Sequence, residues 1–242
     1  MWVKLIFVIV LIGYCSCKNR TYEEVHLELT SPLPTADEKG KVMIQHSVDT
    51  FHLYGKNEMR LGKTPHYFLS ADNVLDFLQP DTKNRKWKWY FYLEGQNTGL
   101  VKEASSTEAK RVSRKEIEQG IGIAQFQDTF ILDEVQLIRS QIDGKRHRET
   151  YVYKNKVDES YADTVFVDFD QHTPSILFSF GATAEKERGR RIIGITYKYA
   201  SLFSEEIKVQ IPERTIKVRL LENPVDDDKE VLEYFELLRK LM

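Results

Sequence analysis

Apolar and polar residues alternate most regularly between Arg85 and Leu93. The apolar positions are Trp87, Trp89, Phe91 and Leu93, and the positions between them are Lys86, Lys88, Tyr90 and Tyr92. Successive side chains of a β-strand point to opposite faces of the sheet. The pattern therefore predicts a strand that buries the first set and presents the second set to solvent or to a partner.

Shorter runs of the same period predict strands on both sides of this segment. Tyr22–Thr30 predicts a first strand, and we expect Ser31-Pro32-Leu33-Pro34 to end it because proline has no N–H to donate to a sheet. Val42–Leu53 predicts one or two further short strands. Apolar and β-branched runs predict later strands over 164–169, 176–180, 191–199, 207–211 and 215–220.

The dipeptide Asp143-Gly144 predicts a hairpin, because it suits the left-handed backbone of a tight turn between two strands. The flanking strands would be 135–142 and 145–153. A helix over Asp133–Ile142 is the alternative, since its apolar residues also fit helical spacing.

Helical spacing is clearest at the C-terminus, where 224–242 predicts an amphipathic helix packed on a sheet. Its apolar face comprises Val231, Phe235, Leu238 and Met242. A second, short helix is predicted over Ala71–Leu78, with Ser70 as its cap.

The segment 100–120 is polar, and we expect an exposed loop or a surface helix there. Ser113 and Glu116 have the spacing of a capping box, and Gly120 is placed to end such a helix.

Together these elements predict a mainly β (α+β) fold, an antiparallel sandwich or barrel with a C-terminal amphipathic helix. Two β-rich halves, 22–99 and 121–220, joined by the polar segment 100–120, could be related modules. A single sandwich or barrel explains the pattern equally well.

The N-terminal residues indicate where the protein acts. A basic start at Lys4 precedes the apolar run Leu5–Ile12 and then Cys15-Ser16-Cys17, so residues 1–17 predict a secretory signal peptide and a secreted protein. Both cysteines of the 242-residue chain lie in this leader, and the mature chain would form no disulfide. Asn19-Arg20-Thr21 makes Asn19 a candidate for N-glycosylation.

The absence of mature cysteine allows two interpretations. The protein could be exported to a reducing destination, such as the inside of another cell. It could equally be a secreted domain whose core is large enough to need no disulfide.

Catalytic motifs are absent from the sequence: it has no nucleophile elbow, phosphate loop, dinucleotide-binding glycine run or zinc-binding HExxH. The best candidate for chemistry is Asp168, Asp170 and His172, which would share one face of a continued strand and could hold a divalent metal. The simpler interpretation is a strand that ends in a polar turn. We predict no cofactor and no enzymatic activity.

Positive charge is concentrated in a few places, although the whole chain has a formal net charge of −2. A compact cluster comprises Lys145, Arg146 and Arg148. With Lys86, Lys88, Tyr90 and Tyr92 it forms the candidate partner-binding set, for an anionic protein or glycan. A solvated charged face is the alternative, and the acidic balance argues against nucleic acid.

Three segments resemble the small secreted proteins of piroplasm parasites, including those built from the β-rich FAINT module. The segments are Val25–Leu29, Val48–Tyr54 and Tyr151–Lys154. The resemblance implies an exported, strand-rich protein without known catalysis that acts on an infected host cell. No functional residue is carried over from this family.

The sequence thus predicts a secreted, non-enzymatic effector or interaction module that acts through surface contacts, with an unknown protein of a host cell as one candidate partner. A ligand-binding β-barrel is the second hypothesis; it needs an apolar cavity, and the discriminating observation is whether Trp87 and Trp89 line a void or a filled core. A metal-dependent hydrolase that uses Asp168, Asp170 and His172 is the third.

Overall fold

The computed structural model describes residues 22–36, 42–66, 86–104, 106, 108–121, 127–144, 146–156, 161–171, 177–204, 208–221 and 228–241. The strands are β1 (Glu23–Ala36), β2 (Val42–Lys56), β3 (Met59–His66), β4 (Lys86–Leu93), β5 (Thr98–Glu103), β6 (Lys110–Ser113), β7 (Val135–Asp143), β8 (Arg146–Tyr153), β9 (Thr164–Asp170), β10 (Arg191–Tyr199), β11 (Leu202–Ser204), β12 (Val209–Ile211) and β13 (Arg214–Leu220). The helices are α1 (Arg114–Ile121), α2 (Ala182–Arg188) and α3 (Asp228–Leu241).

Eleven of these strands form one antiparallel sheet in the order β6-β5-β4-β3-β2-β1-β13-β10-β9-β8-β7, and β11 pairs with β12 in a separate ribbon. The predicted mainly β, antiparallel fold with a C-terminal helix is confirmed. β1 lies at the centre, because it pairs with β2 on one side and with β13 on the other. The strands of the two sequence segments 22–99 and 121–220 therefore lie side by side in one sheet.

Each face of the sheet carries its own hydrophobic core. On the face covered by α1 and α2, here the α1–α2 face, the core includes Leu27, Val167 and Val218 together with Ile117 of α1 and Ala184 of α2. The opposite face is the α3 face, and its core comprises Tyr22, Tyr54, Leu61, Trp89, Phe91, Val231 and Phe235. The predicted packing of the C-terminal helix on a sheet is confirmed by its buried Val231 and Phe235. None of the described helices is long and apolar enough to cross a membrane.

The prediction that two prolines end β1 is wrong. β1 continues to Ala36, with Pro32 opposite His46 and Pro34 opposite Ile44 of β2. Its pairing with β13 stops at Thr30. Beyond that residue β1 has one edge without a described partner strand, and proline is tolerated there because no N–H is required. β2 is correspondingly one long strand.

The polar segment 100–120 is more ordered than predicted, because it supplies β5, β6 and α1. The capping box is confirmed: Ser113 and Glu116 each accept a hydrogen bond from the other's backbone N–H, at 3.2 and 2.8 Å. Gly120 does not end the helix but lies within it, against the ring of Tyr90, where a Cβ would come within 2.3 Å of the ring. This glycine permits close packing of α1 on the sheet.

The alternation in β4 is confirmed, but one of its faces is less exposed than predicted. Trp89 and Phe91 are buried on the α3 face, as expected. The prediction of a solvent-facing opposite side is wrong for Tyr92, which is buried, and Tyr90 is half-buried. Because α1 packs on this side, β4 is covered on both faces.

The hairpin at Gly144 is confirmed: Asp143 pairs with Arg146, and Gly144 adopts the left-handed backbone conformation. The prediction of a strand over 176–180 is wrong for the described residues 177–180, which form no regular secondary structure. Leu177, Phe178 and Phe180 are nevertheless buried. Their apolar side chains serve the core without pairing in the sheet. The leader, Asn19 and the helix predicted over 71–78 lie outside the described residues.

Candidate functional site

α3 packs on its face of the sheet against Tyr22, just before β1, and against residues of β2 to β5. A row of polar residues runs from β1 across the other half of that face. Strand pairing places six residues side by side on neighbouring strands. They are Glu28 of β1, Arg219 of β13, Gly194 of β10, Asp168 of β9, Arg148 of β8 and Gln141 of β7. We call this set the charged row. Neighbouring strands lie about 4.8 Å apart, so each member is next to the following one.

Two ion pairs hold the arginines of the charged row in place. Arg148 donates two hydrogen bonds to Asp168, from Nε to Oδ1 at 2.6 Å and from Nη2 to Oδ2 at 2.8 Å. Arg219 donates from Nε to Oε1 of Glu28 at 2.7 Å. The hydrogen bond to Asp168 raises the pKa of Arg148, so its guanidinium stays charged. Both guanidinium groups are therefore fixed before any ligand arrives.

Gly194 separates the two ion pairs and leaves a gap between Arg219 and Asp168. The pairing of β9 with β10 is irregular between Ile192 and Gly194, as at a β-bulge. The gap is the floor of an open groove of about 710 Å³. Its walls also include Asp143, Arg146, Phe169, Ile193, Leu220 and Leu221. A glycine at this point allows a ligand to approach the backbone closely.

Arg146 lies at the β7–β8 end of the groove and is exposed. It makes no ion pair with any residue of the described chain. The lining thus holds three guanidinium groups, those of Arg146, Arg148 and Arg219, against the carboxylates of Asp143 and Asp168. Because Arg148 is paired with Asp168 and Arg219 with Glu28, Arg146 is the guanidinium that remains to bind a negative group of a ligand.

A second polar cluster lies on the α1–α2 face. Ser140 Oγ is 2.8 Å from Nε2 of His147, and Glu149 Oε1 is 3.2 Å from the same nitrogen. A serine–histidine–carboxylate relay needs the hydroxyl and the carboxylate on opposite ring nitrogens. This arrangement does not provide that relay.

Buried Glu149 is held by several donors. Arg188 Nε lies 2.9 Å from Oε1 and 3.0 Å from Oε2, and the Tyr151 hydroxyl donates to Oε2. Burial, with the neighbouring Glu149 carboxylate, raises the pKa of Tyr151 far above its usual value. The cluster thus has a clear role in joining β8 to α2.

The residues proposed for metal binding are placed differently. Asp168 is engaged by Arg148, and Asp170 accepts the backbone N–H of Gln171 at 2.7 Å. His172 lies outside the described residues. Within the part of the chain that the structure describes, no three histidine, cysteine, aspartate or glutamate residues are grouped so that they could hold a metal ion.

The predicted partner-binding set divides into two places. Arg146 and Arg148 both line the groove. Lys88 lies 3.5 Å from Glu103 on the far side of the sheet, and Tyr90 and Tyr92 pack under α1. The side chains of Lys86 and Lys145 lie outside the described residues.

Sequence reasoning missed Glu28, Gly194 and Arg219. Each lies in a strand whose local sequence gives no sign of a binding site. Only the pairing of strands that are distant in the sequence brings the three residues together.

The test of the ligand-binding-barrel hypothesis is whether Trp87 and Trp89 line a void or a filled core, and Trp89 lies in a filled core. Trp89 is fully buried, its ring lies 4.2 Å from that of Tyr234, and α3 closes over it with Val231 and Phe235. Neither Trp87 nor Trp89 lines the groove. The candidate site that the described residues form on the α3 face is the groove between the two ion pairs.

No protein-family model and no curated protein matches the sequence. Two solved structures align with most of the chain. A LolA superfamily protein from Nitrosomonas europaea has 11% sequence identity and a TM-score of 0.23, over 85% of this chain and 89% of that one. A putative outer membrane lipoprotein-sorting protein domain from Vibrio parahaemolyticus has 9% identity and a TM-score of 0.22, over 89% and 92%. Scores this low establish neither a common fold nor a common function.

Proposed function

We propose that the protein is a secreted, non-enzymatic binding protein. Its charged groove binds an acidic glycan, a ligand that is anionic and rich in hydroxyl groups. One arrangement carries this proposal. The guanidinium of Arg146, which makes no ion pair with a described residue, lines a groove whose floor is Gly194 and whose sides hold the Arg148–Asp168 and Arg219–Glu28 ion pairs. The predicted signal peptide at residues 1–17 supports export.

The groove supplies the hydrogen-bonding groups that such a ligand needs. Arginine donates several N–H groups and suits carboxylate or sulfate, which a uronic acid or a sulfated sugar carries. Asp143, Asp168 and Gln141 can accept hydrogen bonds from sugar hydroxyls. A site of about 300–1,000 Å³ is usual for small ligands, and the groove falls within that range.

Fixed side chains favour binding because they lose little freedom when the ligand arrives. Arg148 and Arg219 are already held by Asp168 and Glu28, so the entropy cost of ordering them is paid during folding. Ile193, which is only partly buried, lines the same groove and can pack against the ring carbons of a sugar.

Substitution of Gly194 by threonine tests whether the groove is the site. A Cβ at Gly194 would meet its nearest atoms, Arg219 Cβ and Val218 O, at 3.4 Å, so the strand can accept it while the side chain occupies the floor. Binding would be measured by calorimetry against uronic-acid, sulfated and uncharged oligosaccharides of equal length. We expect Gly194→Thr to abolish binding of the acidic oligosaccharides with the fold retained.

Removal of the free guanidinium tests the charge. We expect Arg146→Ala to weaken binding of acidic oligosaccharides by about tenfold or more, since hydrogen bonds to charged groups contribute about 1.5–3 kcal/mol. The matched control is Arg111→Ala, which removes an exposed arginine from β6 at the far end of the sheet. Equal binding of acidic and uncharged oligosaccharides, or binding unaffected by Gly194→Thr, would refute the proposal.

A further inference from the structure

The two outermost strands of the sheet differ sharply. β6 has only four residues, Lys110-Arg111-Val112-Ser113, and its charges and shortness are usual protection against pairing with another chain. β7 has nine residues and exposes three large aliphatic side chains. Their exposed fractions are 42% for Leu137, 56% for Ile138 and 67% for Ile142. No described strand pairs with the outer side of β7.

The geometry of the β7–β8 hairpin indicates which backbone groups are unpaired. In a hairpin with a two-residue loop, the flanking residues form a hydrogen-bonded pair, and such pairs alternate along the strand. Asp143 and Arg146 flank the loop here. Ile142 and Ser140 therefore direct their N–H and C=O groups away from β8, where another strand could accept them.

We propose that β7 is a dimerisation edge, which pairs antiparallel with β7 of a second copy of this chain about a two-fold axis at Ser140. This register places Ser140 opposite Ser140, and Ile138 opposite Ile142 on both sides of the axis. Arg139 lies opposite Gln141. The unpaired N–H and C=O of Ser140 then bond to those of Ser140 in the second copy, and the unpaired groups of Ile142 face Ile138 of that copy.

The sequence of β7 favours this register over its neighbour. A two-fold axis at Arg139 would place the two Arg139 side chains directly opposite each other, and like charges in that position are destabilising. With the axis at Ser140, Asp143 of one copy lies diagonally across from Arg139 of the other. The strand is thus complementary to itself in charge.

The same register buries the exposed aliphatic residues. Strand pairing puts Ser140 opposite Glu149 and Ile142 opposite His147, whose side chains are buried on the α1–α2 face. Ile138 is the extra residue of a bulge beside Leu137, which lies opposite the buried Tyr151 of the same face. The two Ile138–Ile142 pairs would therefore continue the α1–α2 core from one copy into the next.

Sedimentation of the full chain tests the proposal. We expect a dimer that becomes a monomer with Ile142→Lys or Ile138→Lys, because each places a charge in the apolar pair. Val48→Lys is the matched control: Val48 is 53% exposed on β2, away from β7, and its replacement should leave the dimer intact. A monomer at all concentrations, or a dimer insensitive to both isoleucine changes, would overturn the proposal and leave the edge to a strand of a different protein.

Disulfide crosslinking tests the register independently. In a chain with Cys15→Ser and Cys17→Ser, Ser140→Cys places two cysteines across the axis, and opposed residues of a hydrogen-bonded pair have Cα atoms about 5.5 Å apart, within disulfide range. Gln136→Cys is the control, since its two copies would be about 27 Å apart at 3.4 Å per residue. We expect rapid crosslinking only at position 140. Equal crosslinking at both positions would contradict this register.

Discussion

Arg148 and Asp168 are joined by two parallel hydrogen bonds between β8 and β9, although their side chains are 54% and 32% exposed. Exposed ion pairs contribute about 0.2–1 kcal/mol to stability. We expect a double-mutant cycle of Arg148→Ala and Asp168→Ala in urea unfolding to give a coupling energy in this range. A coupling of several kcal/mol would show that the pair is desolvated and that the groove is less open than described.

Gly120→Ala should destabilise the protein, because its Cβ would come within 2.3 Å of the Tyr90 ring. Overpacking of this kind costs about 1–3 kcal/mol, even though alanine favours a helix more than glycine does. Urea unfolding measures the loss. Adding Tyr90→Leu should restore part of it, whereas an equal loss in both backgrounds would place the strain elsewhere.

Glu185→Gln should stabilise the protein at neutral pH. Burial raises the pKa of Glu185 above its ordinary value, while its Oε1 accepts the backbone N–H of Ile192 at 3.0 Å. The folded protein therefore binds this proton more tightly than the unfolded chain does. Proton binding thus contributes to the stability of the fold at low pH, and this stabilisation is lost as the pH rises through the raised pKa.

The gain from Glu185→Gln should consequently shrink as the pH falls from the raised folded pKa toward the unfolded pKa of the carboxyl group, and should be smallest below the latter. Thermal unfolding across a pH series measures this change. Glu187→Gln, at an exposed position of the same helix, is the control and should change stability little at any pH. A gain from Glu185→Gln that does not vary with pH would contradict the prediction.

Arg188→Met should destabilise the protein by about 3–5 kcal/mol, because it leaves the buried Glu149 carboxylate without its guanidinium partner. Adding Glu149→Gln removes the stranded charge and should recover much of the loss. Chemical unfolding of the two single variants and the double variant measures both effects. Strictly additive losses would mean that the two residues contribute independently.

The sequence predicted the elements whose signal is local. β4, the hairpin at Gly144 and the capping box of Ser113 with Glu116 each depend on neighbouring residues, and all three are present. The burial of Tyr92 was not predictable, because it depends on α1, which begins 22 positions later at Arg114.

The candidate site was only partly predictable, for the same reason. Arg146 and Arg148 form an obvious basic cluster in the sequence. Glu28 and Arg219 are 191 positions apart, and they meet because β1 pairs with β13. The sequence around Gly194 does not indicate a site. This glycine matters only because it lies between Arg219 and Asp168 in the sheet and leaves a gap between their side chains.

The two-stranded arm formed by the far ends of β1 and β2 has a consequence for how the sheet opens. Past Thr30, β1 pairs with β2 alone, over Ser31–Ala36 with Val42–Ser47, and its prolines donate no hydrogen bonds. Amides there can exchange with solvent through local fraying, without global unfolding, whereas Leu27 at the sheet centre is released only when the whole sheet separates. Deuterium uptake should therefore divide each of these strands into a fast outer half and a slow inner half.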